Sequence, residues 1–377
     1  MNELAMAAPD ITERERELVL QVLHTSTLSG GPMLQRFEAM AAALASRKHA
    51  VAVSSGTSAL HLIVRSLGLG PGDAAITTPY SFVASSNCLL YEGVKPVFVD
   101  IQDDTLNLDP DKVESILRRR TSLRKRVKAI LAVDVFGHPA DWDALKSIAE
   151  KYNLRLIEDS AEALGASYHS RPAGSFGDAG VFAFYPNKQI TTGEGGVVLT
   201  DDEDLAEMCR SLRNQGRGPS SEWLEHVRLG YNYRLSELHA ALGVAQLERL
   251  NELLEKRAQV AGWYNEELRH VPYLSTSVQR PDAKMSWFVY VIRLNNGVNR
   301  SKVVQRLKDK GIPTRPYFPA IHLMPFYSEK FGYKAGDFPV TEAVSFSTLA
   351  LPFHGNMSRA SVQYVCDQLQ SLTEELS

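Results

Sequence analysis

AVAVSSGTSALHLIVRSLGL, residues 50–69, passes without a break from a short apolar run into a helical pattern. Residues 50–55 read as a short buried strand, and the helix begins at Gly56 or Thr57. The same alternation recurs outward along the chain. Residues 74–93 read as strand, loop and helix, and KPVFVDI (95–101) as a strand. A helical stretch at 110–120 precedes KAILAVDVFGHP (128–139), a strand running into a loop. DWDALKSIAEKYN follows as a helix, and LRLIEDSAEALGA (154–166) as a strand entering a helix. VFAFY (181–185) and GVVLT (196–200) are two further strand-like runs. Alternation of this kind over 50–200 predicts an α/β domain. Its sheet is mainly parallel and sandwiched by helices, with ligands at the carboxyl ends of the strands.

The flanks differ in texture. A helix is predicted from Thr12 to about Thr25, with Thr12 and Glu15 placed as a capping box, and a second over LQRFEAMAAALA. Past residue 200 a helix leads into a long Gly-, Arg- and aromatic-rich loop (216–237), and loops of that length in compact enzymes usually carry function or an interface. One long helix is predicted from Ser236 to about Leu268. Strands at 286–294 and near 312–318, with helices at SKVVQRLKDKG and SRASVQYVCDQLQSLTEEL, complete a smaller α+β unit. The expected division is 1–245 for the large domain and 246–377 for the small one.

Bulk properties exclude several classes. The 377 residues exceed one ordinary domain, and 44% apolar with 23% charged residues is usual for a globular enzyme. A net charge of −3 provides no global basic field for nucleic acid or anionic lipid. The run RRRTSLRKRVK (118–128) reads as a solvated helix end and loop, since no nucleic-acid motif accompanies it. Cys88, Cys209 and Cys366 are too scattered for a metal pattern or a disulfide framework. With no secretory pattern at the N-terminus and no apolar run near the roughly 20 residues that span a bilayer, a cytoplasmic protein without metal, membrane or nucleic-acid partners is expected.

Four features fall at strand ends or in the loops beside them. SSGTS (54–58) opens a helix, where free N–H groups and the dipole form a phosphate site; the same residues also serve as plain N-caps. Tyr80 and Phe82 follow a strand, where an aromatic ring can stack on a flat ligand or belong to the core. Asp159 ends LRLIED and points a carboxylate at the crevice, although Asp159 with Glu162 also fits a capping box. Lys188 sits in the loop between VFAFY and GVVLT. A rigidly held, partly desolvated amine there is a nucleophile toward carbonyls, and a lone loop lysine is otherwise merely hydrated.

In order, LSGGPMLQRFE, SSGTSALHL, TTPYSFVASSN, VDVFGHPADW, IEDSAEALGA, GSFGDAGVFAFYPNKQITTGEGGVVLTDD, GYNYRLSELHAALG and LPFHGNMS span nearly the whole chain. This set resembles the DegT/DnrJ/EryC1/StrS sugar aminotransferases, pyridoxal 5'-phosphate enzymes of the type I, aspartate-aminotransferase fold, and within them the perosamine-synthase-like branch. The resemblance implies that Lys188 bonds the cofactor, that Asp159 faces its ring nitrogen, that Gly56 and Thr57 hold its phosphate and that Phe82 stacks on its ring. It places Glu162 near the phenolic oxygen. Asn232 is implied to reach the cofactor of a partner subunit in a homodimer with shared sites. The implied reaction moves an amino group from L-glutamate to a nucleotide-linked keto sugar, with a 4-keto-6-deoxy sugar preferred, for amino-sugar and surface-polysaccharide synthesis. A non-transaminating sugar dehydratase or aromatizing synthase of the same family is the alternative. Arg217, Arg228, Arg234, Arg315, Tyr317 and His322 are candidates for the nucleotide sugar, each equally able to be structural. The chain departs from many members at Ala183, where a phosphate-binding Ser is common.

Overall fold

The computed structural model describes residues 4–218, 225–295 and 297–376. Seven strands form the central sheet: β1 (His49–Val53), β2 (Ala74–Thr77), β3 (Lys95–Phe98), β4 (Val127–Val133), β5 (Arg155–Asp159), β6 (Ala179–Ala183) and β7 (Gly196–Thr200). Their spatial order is β1-β7-β6-β5-β4-β2-β3. β2, β3, β4, β5 and β6 pair in parallel, and β7 runs antiparallel to both β6 and β1. β1 therefore points the same way as β6, so six strands end at one edge of the sheet.

The strands read as near-continuous apolar runs because both faces of the sheet are covered. Alternate side chains enter different cores. Val51, Val53, Val181 and Val198 pack with Leu60 and Ile63 of the helix Gly56–Ser66 and with Leu205 of the helix Glu203–Arg213. Ala50, Ala52, Phe182 and Val197 pack on the other face with Phe37 and Val244. A third core lies at the other end of the sheet, where Ile130 and Leu156 meet Leu117 and Trp142. Helices flank the sheet on both sides, as the alternation predicts.

A three-stranded antiparallel sheet (Leu274–Thr276, Tyr290–Leu294, Thr348–Leu351) anchors the second unit. Its core joins Tyr264, Ile292, Leu307, Leu349 and Leu369.

Several details differ from the sequence reading. The stretch after β5 is not a helix; it turns, with Ala163 N donating to Ser160 O at 2.9 Å. Without a helix there is no capping box, and Asp159 and Glu162 are both freed for the crevice. The helix predicted over 236–268 is two, Glu237–Glu248 and Leu250–Leu268, meeting at Arg249. Arg249 leaves helical geometry there and pairs with Asp10, Glu15 and Glu252. The stretch 312–318 contributes a single bridge, Arg315 with Ala350, rather than a strand. Within the basic run, Thr121–Arg126 forms a short helix. Part of the long loop, residues 219–224, lies outside the described residues.

Candidate active site

The strand ends surround a cavity of about 500 Å³. β1 delivers the start of the helix Gly56–Ser66, β5 delivers Asp159 and Glu162, and β6 delivers Ala183 and then Lys188. Phe288, Tyr317 and Phe318 of the second unit close the far wall.

Lys188 is held by a turn in which its N–H donates to Tyr185 O at 2.9 Å. Its side chain is 13% exposed, with Nζ 3.6 Å from Glu162 Oε1 and 3.9 Å from the Phe288 ring centroid. Burial lowers the amine's pKa, and the carboxylates of Glu162 and Asp159 oppose that shift. An amine drawn toward its neutral form is the one that attacks a carbonyl carbon.

Asp159 lies buried at the foot of the cavity, where it accepts from Ser85 Oγ at 2.7 Å and from Ala161 N at 3.2 Å. Burial holds its carboxyl above the ordinary range, and Lys188 is the cation acting against that shift. A ring N–H⁺ placed against it would restore its charge. Glu162 accepts from Phe136 N at 2.9 Å. Burial raises its carboxyl too, with Lys188 as the main opposing charge.

At the opposite end Ser55 Oγ accepts from Ser58 N at 3.0 Å and caps the helix. Gly56 and Thr57 retain first-turn N–H groups, which have no intrahelical partner. A Cβ on Gly56 would stand 2.7 Å from Ala183 Cβ, and one on Gly196 would stand 2.4 Å from Ser55 O. The two glycines let three backbone segments meet where an anion must approach. This donor set fits pyridoxal phosphate: an anion cradle, a buried carboxylate for a ring nitrogen, and an amine between them.

The structure thus brings together Gly56, Thr57, Phe82, Asp159, Glu162, Lys188 and Tyr317. Phe82 is 60% exposed, its ring free to stack. The remaining predicted residues do not line the cavity. Asn232 is exposed on a segment bridged to Asn214; its chain neighbours Tyr231 and Tyr233 stack on each other. Arg234 donates to Asn214 Oδ1 at 3.0 Å. Arg217 bridges His226, and Arg228 and Arg315 are exposed. His322 is fully buried, paired with Glu342 at 3.0 Å.

The sequence reading missed Ser85, the backbone N–H of Phe136, Phe288, and Asn187, which also lines the cavity. Ser85 lies three residues beyond Phe82, and that spacing was the available signal. Phe288 sits in a run legible only as a strand.

A lysine only 13% exposed, set between two buried carboxylates and a glycine-lined anion cradle on a sheet of this order, marks a pyridoxal-phosphate-dependent aminotransferase. The chain belongs to the DegT/DnrJ/EryC1/StrS aminotransferase family, whose model matches residues 9–370. It is similar to GDP-perosamine synthase of Caulobacter vibrioides, with 37% identity over 98% of each chain. Helicobacter pylori PseC, an aminotransferase involved in pseudoaminic acid biosynthesis, has 30% identity and a TM-score of 0.93 over 99% of this chain and 100% of that one. The PLP form of Spr1654 from Streptococcus pneumoniae, a putative sugar aminotransferase, has 26% identity and a TM-score of 0.93 over 100% of both chains.

Proposed function

We propose that the protein transfers an amino group from L-glutamate to a keto sugar linked to a nucleoside diphosphate, preferably a 4-keto-6-deoxy sugar, for amino-sugar and surface-polysaccharide synthesis. The observation that carries this reading is the Lys188 amine, 3.6 Å from Glu162 in the cavity that Asp159 also lines. The likeness to GDP-perosamine synthase supports the sugar acceptor.

In this reading the bound cofactor supplies an electron-withdrawing ring that stabilises negative charge on the reacting carbon. Gly56 and Thr57 N–H groups would hold its phosphate, and Asp159, oriented by Ser85, would keep the ring nitrogen protonated. Lys188 Nζ takes the proton from the amino-bearing carbon of the donor and later returns one to the acceptor carbon. Glu162 lies within reach of Lys188 to balance its charge. Phe288, Tyr317 and Phe318 exclude water. Residues 1–245 carry the cofactor and residues 246–377 supply that wall.

Asn232 belongs to a partner subunit's site in a homodimer, a role its exposure supports. Arg217, Arg234, Arg315 and Tyr317 are assigned to the nucleotide sugar. His322 is left out, because its pairing with Glu342 inside the fold occupies it. A cytoplasmic location fits three buried free cysteines. No helix among the described residues is long and apolar enough to cross a membrane.

The test offers UDP-, GDP- and dTDP-linked keto sugars with glutamate and identifies products by mass and NMR. An amino sugar formed with 2-oxoglutarate supports the reading; a dehydrated or aromatised product without amino transfer contradicts it.

A further inference from the structure

Beneath the cavity lies a second acidic group, which the transfer chemistry does not use. Asp134, Glu158 and Ser160 are all fully buried. Ser160 Oγ stands 2.7 Å from Asp134 Oδ2 and 2.8 Å from Glu158 Oε1. A serine hydroxyl has one proton and can donate to only one of the two. Both contacts are hydrogen bonds only if one carboxyl carries a proton and donates to Ser160 Oγ. Two unprotonated carboxylates with one hydroxyl between them, away from water, would leave an uncompensated charge.

The surroundings say which carboxyl holds the proton. Glu158 accepts a backbone N–H on each oxygen, from Gly174 at 2.5 Å and from Phe176 at 2.7 Å. The Arg47 guanidinium grips the same loop, donating to Gly174 O at 2.8 Å and Gly177 O at 2.6 Å. Hydrogen bonds and a nearby cation favour the charged form. Asp134 accepts Ala140 N at 2.8 Å and Trp142 Nε1 at 3.0 Å, both on Oδ1. Its Oδ2 meets only Ser160 Oγ among the described hydrogen bonds.

We propose that Asp134 is a buried carboxylic acid whose Oδ2–H donates to Ser160 Oγ, which donates in turn to the Glu158 carboxylate, and that this relay positions Asp159. The link to Asp159 is direct. Asp159 lies between Glu158 and Ser160 in the chain, and Asp134 N donates to Asp159 O at 3.0 Å. The backbone on both sides of Asp159 is thereby pinned by side chains sharing one negative charge instead of two. The relay is independent of the sugar reading, so either can fail alone.

Asp134→Asn tests it, because the amide reproduces the acid: its N–H₂ donates to Ser160 and its oxygen accepts Ala140 N and Trp142 Nε1. Infrared spectra of the holoenzyme, with aspartate labelled by carbon-13 at the carboxyl, report buried carboxylic acids. The expected result is a protonated-aspartate C=O band in the wild type that vanishes in D134N. D134N should keep the cofactor's absorbance spectrum and change kcat by less than about threefold, since a matched replacement is nearly neutral. Glu158→Gln should lower the thermal midpoint by more than D134N does, because it removes the charge that two N–H donors face. Asp134→Ala should lose activity that D134N retains. No band lost in D134N, or E158Q tolerated while D134N is not, overturns the assignment. A D134A enzyme as active as D134N overturns the positioning role.

Discussion

Gly56→Ala probes the phosphate end of the site with a single methyl. The added Cβ would lie 2.7 Å from Ala183 Cβ. Carbon atoms pack at about 3.5–4.0 Å, so the start of the helix must move by about 1 Å or the end of β6 must give. Overpacking of this size costs about 1–3 kcal/mol. Gly56 is the first helical residue with no positive φ, so alanine reduces the freedom of the unfolded chain by about 0.4–1 kcal/mol, which offsets part of that loss, and the fold should survive. Binding should not, because the displaced groups are the Gly56 and Thr57 N–H donors. A hydrogen bond to a charged group contributes about 1.5–3 kcal/mol. Loss of one therefore weakens cofactor binding roughly 10- to 150-fold. Fluorescence titration of apoenzyme with pyridoxal phosphate measures this directly. Ala183→Gly in the same chain removes the opposing methyl and should recover most of the affinity. Wild-type affinity in G56A, or a folded double variant that stays as weak as G56A, would show that the Gly56 turn does not hold the phosphate.

Ser85→Ala deletes the side-chain donor to Asp159, which raises the Asp159 carboxyl further and should lower kcat by about tenfold or more; an unchanged kcat would remove Ser85 from the site. Burial places the Asp159 and Glu162 carboxyls above their unfolded values. In the window from the ordinary carboxylate range up to those raised values, the folded apoenzyme binds more protons than the unfolded chain. Its stability should fall as pH rises through that window. Glu162→Gln should flatten the slope in denaturation midpoints measured against pH, and an unaltered slope would count against a raised Glu162. If the proposed homodimer shares its sites, mixing inactive K188A and N232A proteins under subunit exchange should restore activity, because one site per heterodimer is intact; no recovery in verified heterodimers contradicts shared sites.

The strand–helix alternation from Ala50 onward was enough to specify the sheet and its functional edge, because strands buried on both faces must be apolar throughout. That Lys188, Asp159, Gly56 and Phe82 would gather at one cavity was legible from their places at strand ends. The wall formed by Phe288 and Phe318 was not. Their side chains have the same local pattern as core residues, and only the docking of the second unit turns them toward Lys188. Asp159 and Glu162 mimic a helix start, and local signals cannot show that the chain turns at Ser160 because that serine bridges two buried carboxyls. The break at Arg249 was hidden for a similar reason, since its ion partners Asp10 and Glu15 lie far away in sequence.

Borohydride reduction of the holoenzyme followed by peptide mapping locates the lysine that bonds the cofactor. The expected result is a pyridoxyl group fixed on Lys188, in the peptide containing FAFYPNK, and none in K188A. A label on another lysine, or the same label in K188A, would contradict it.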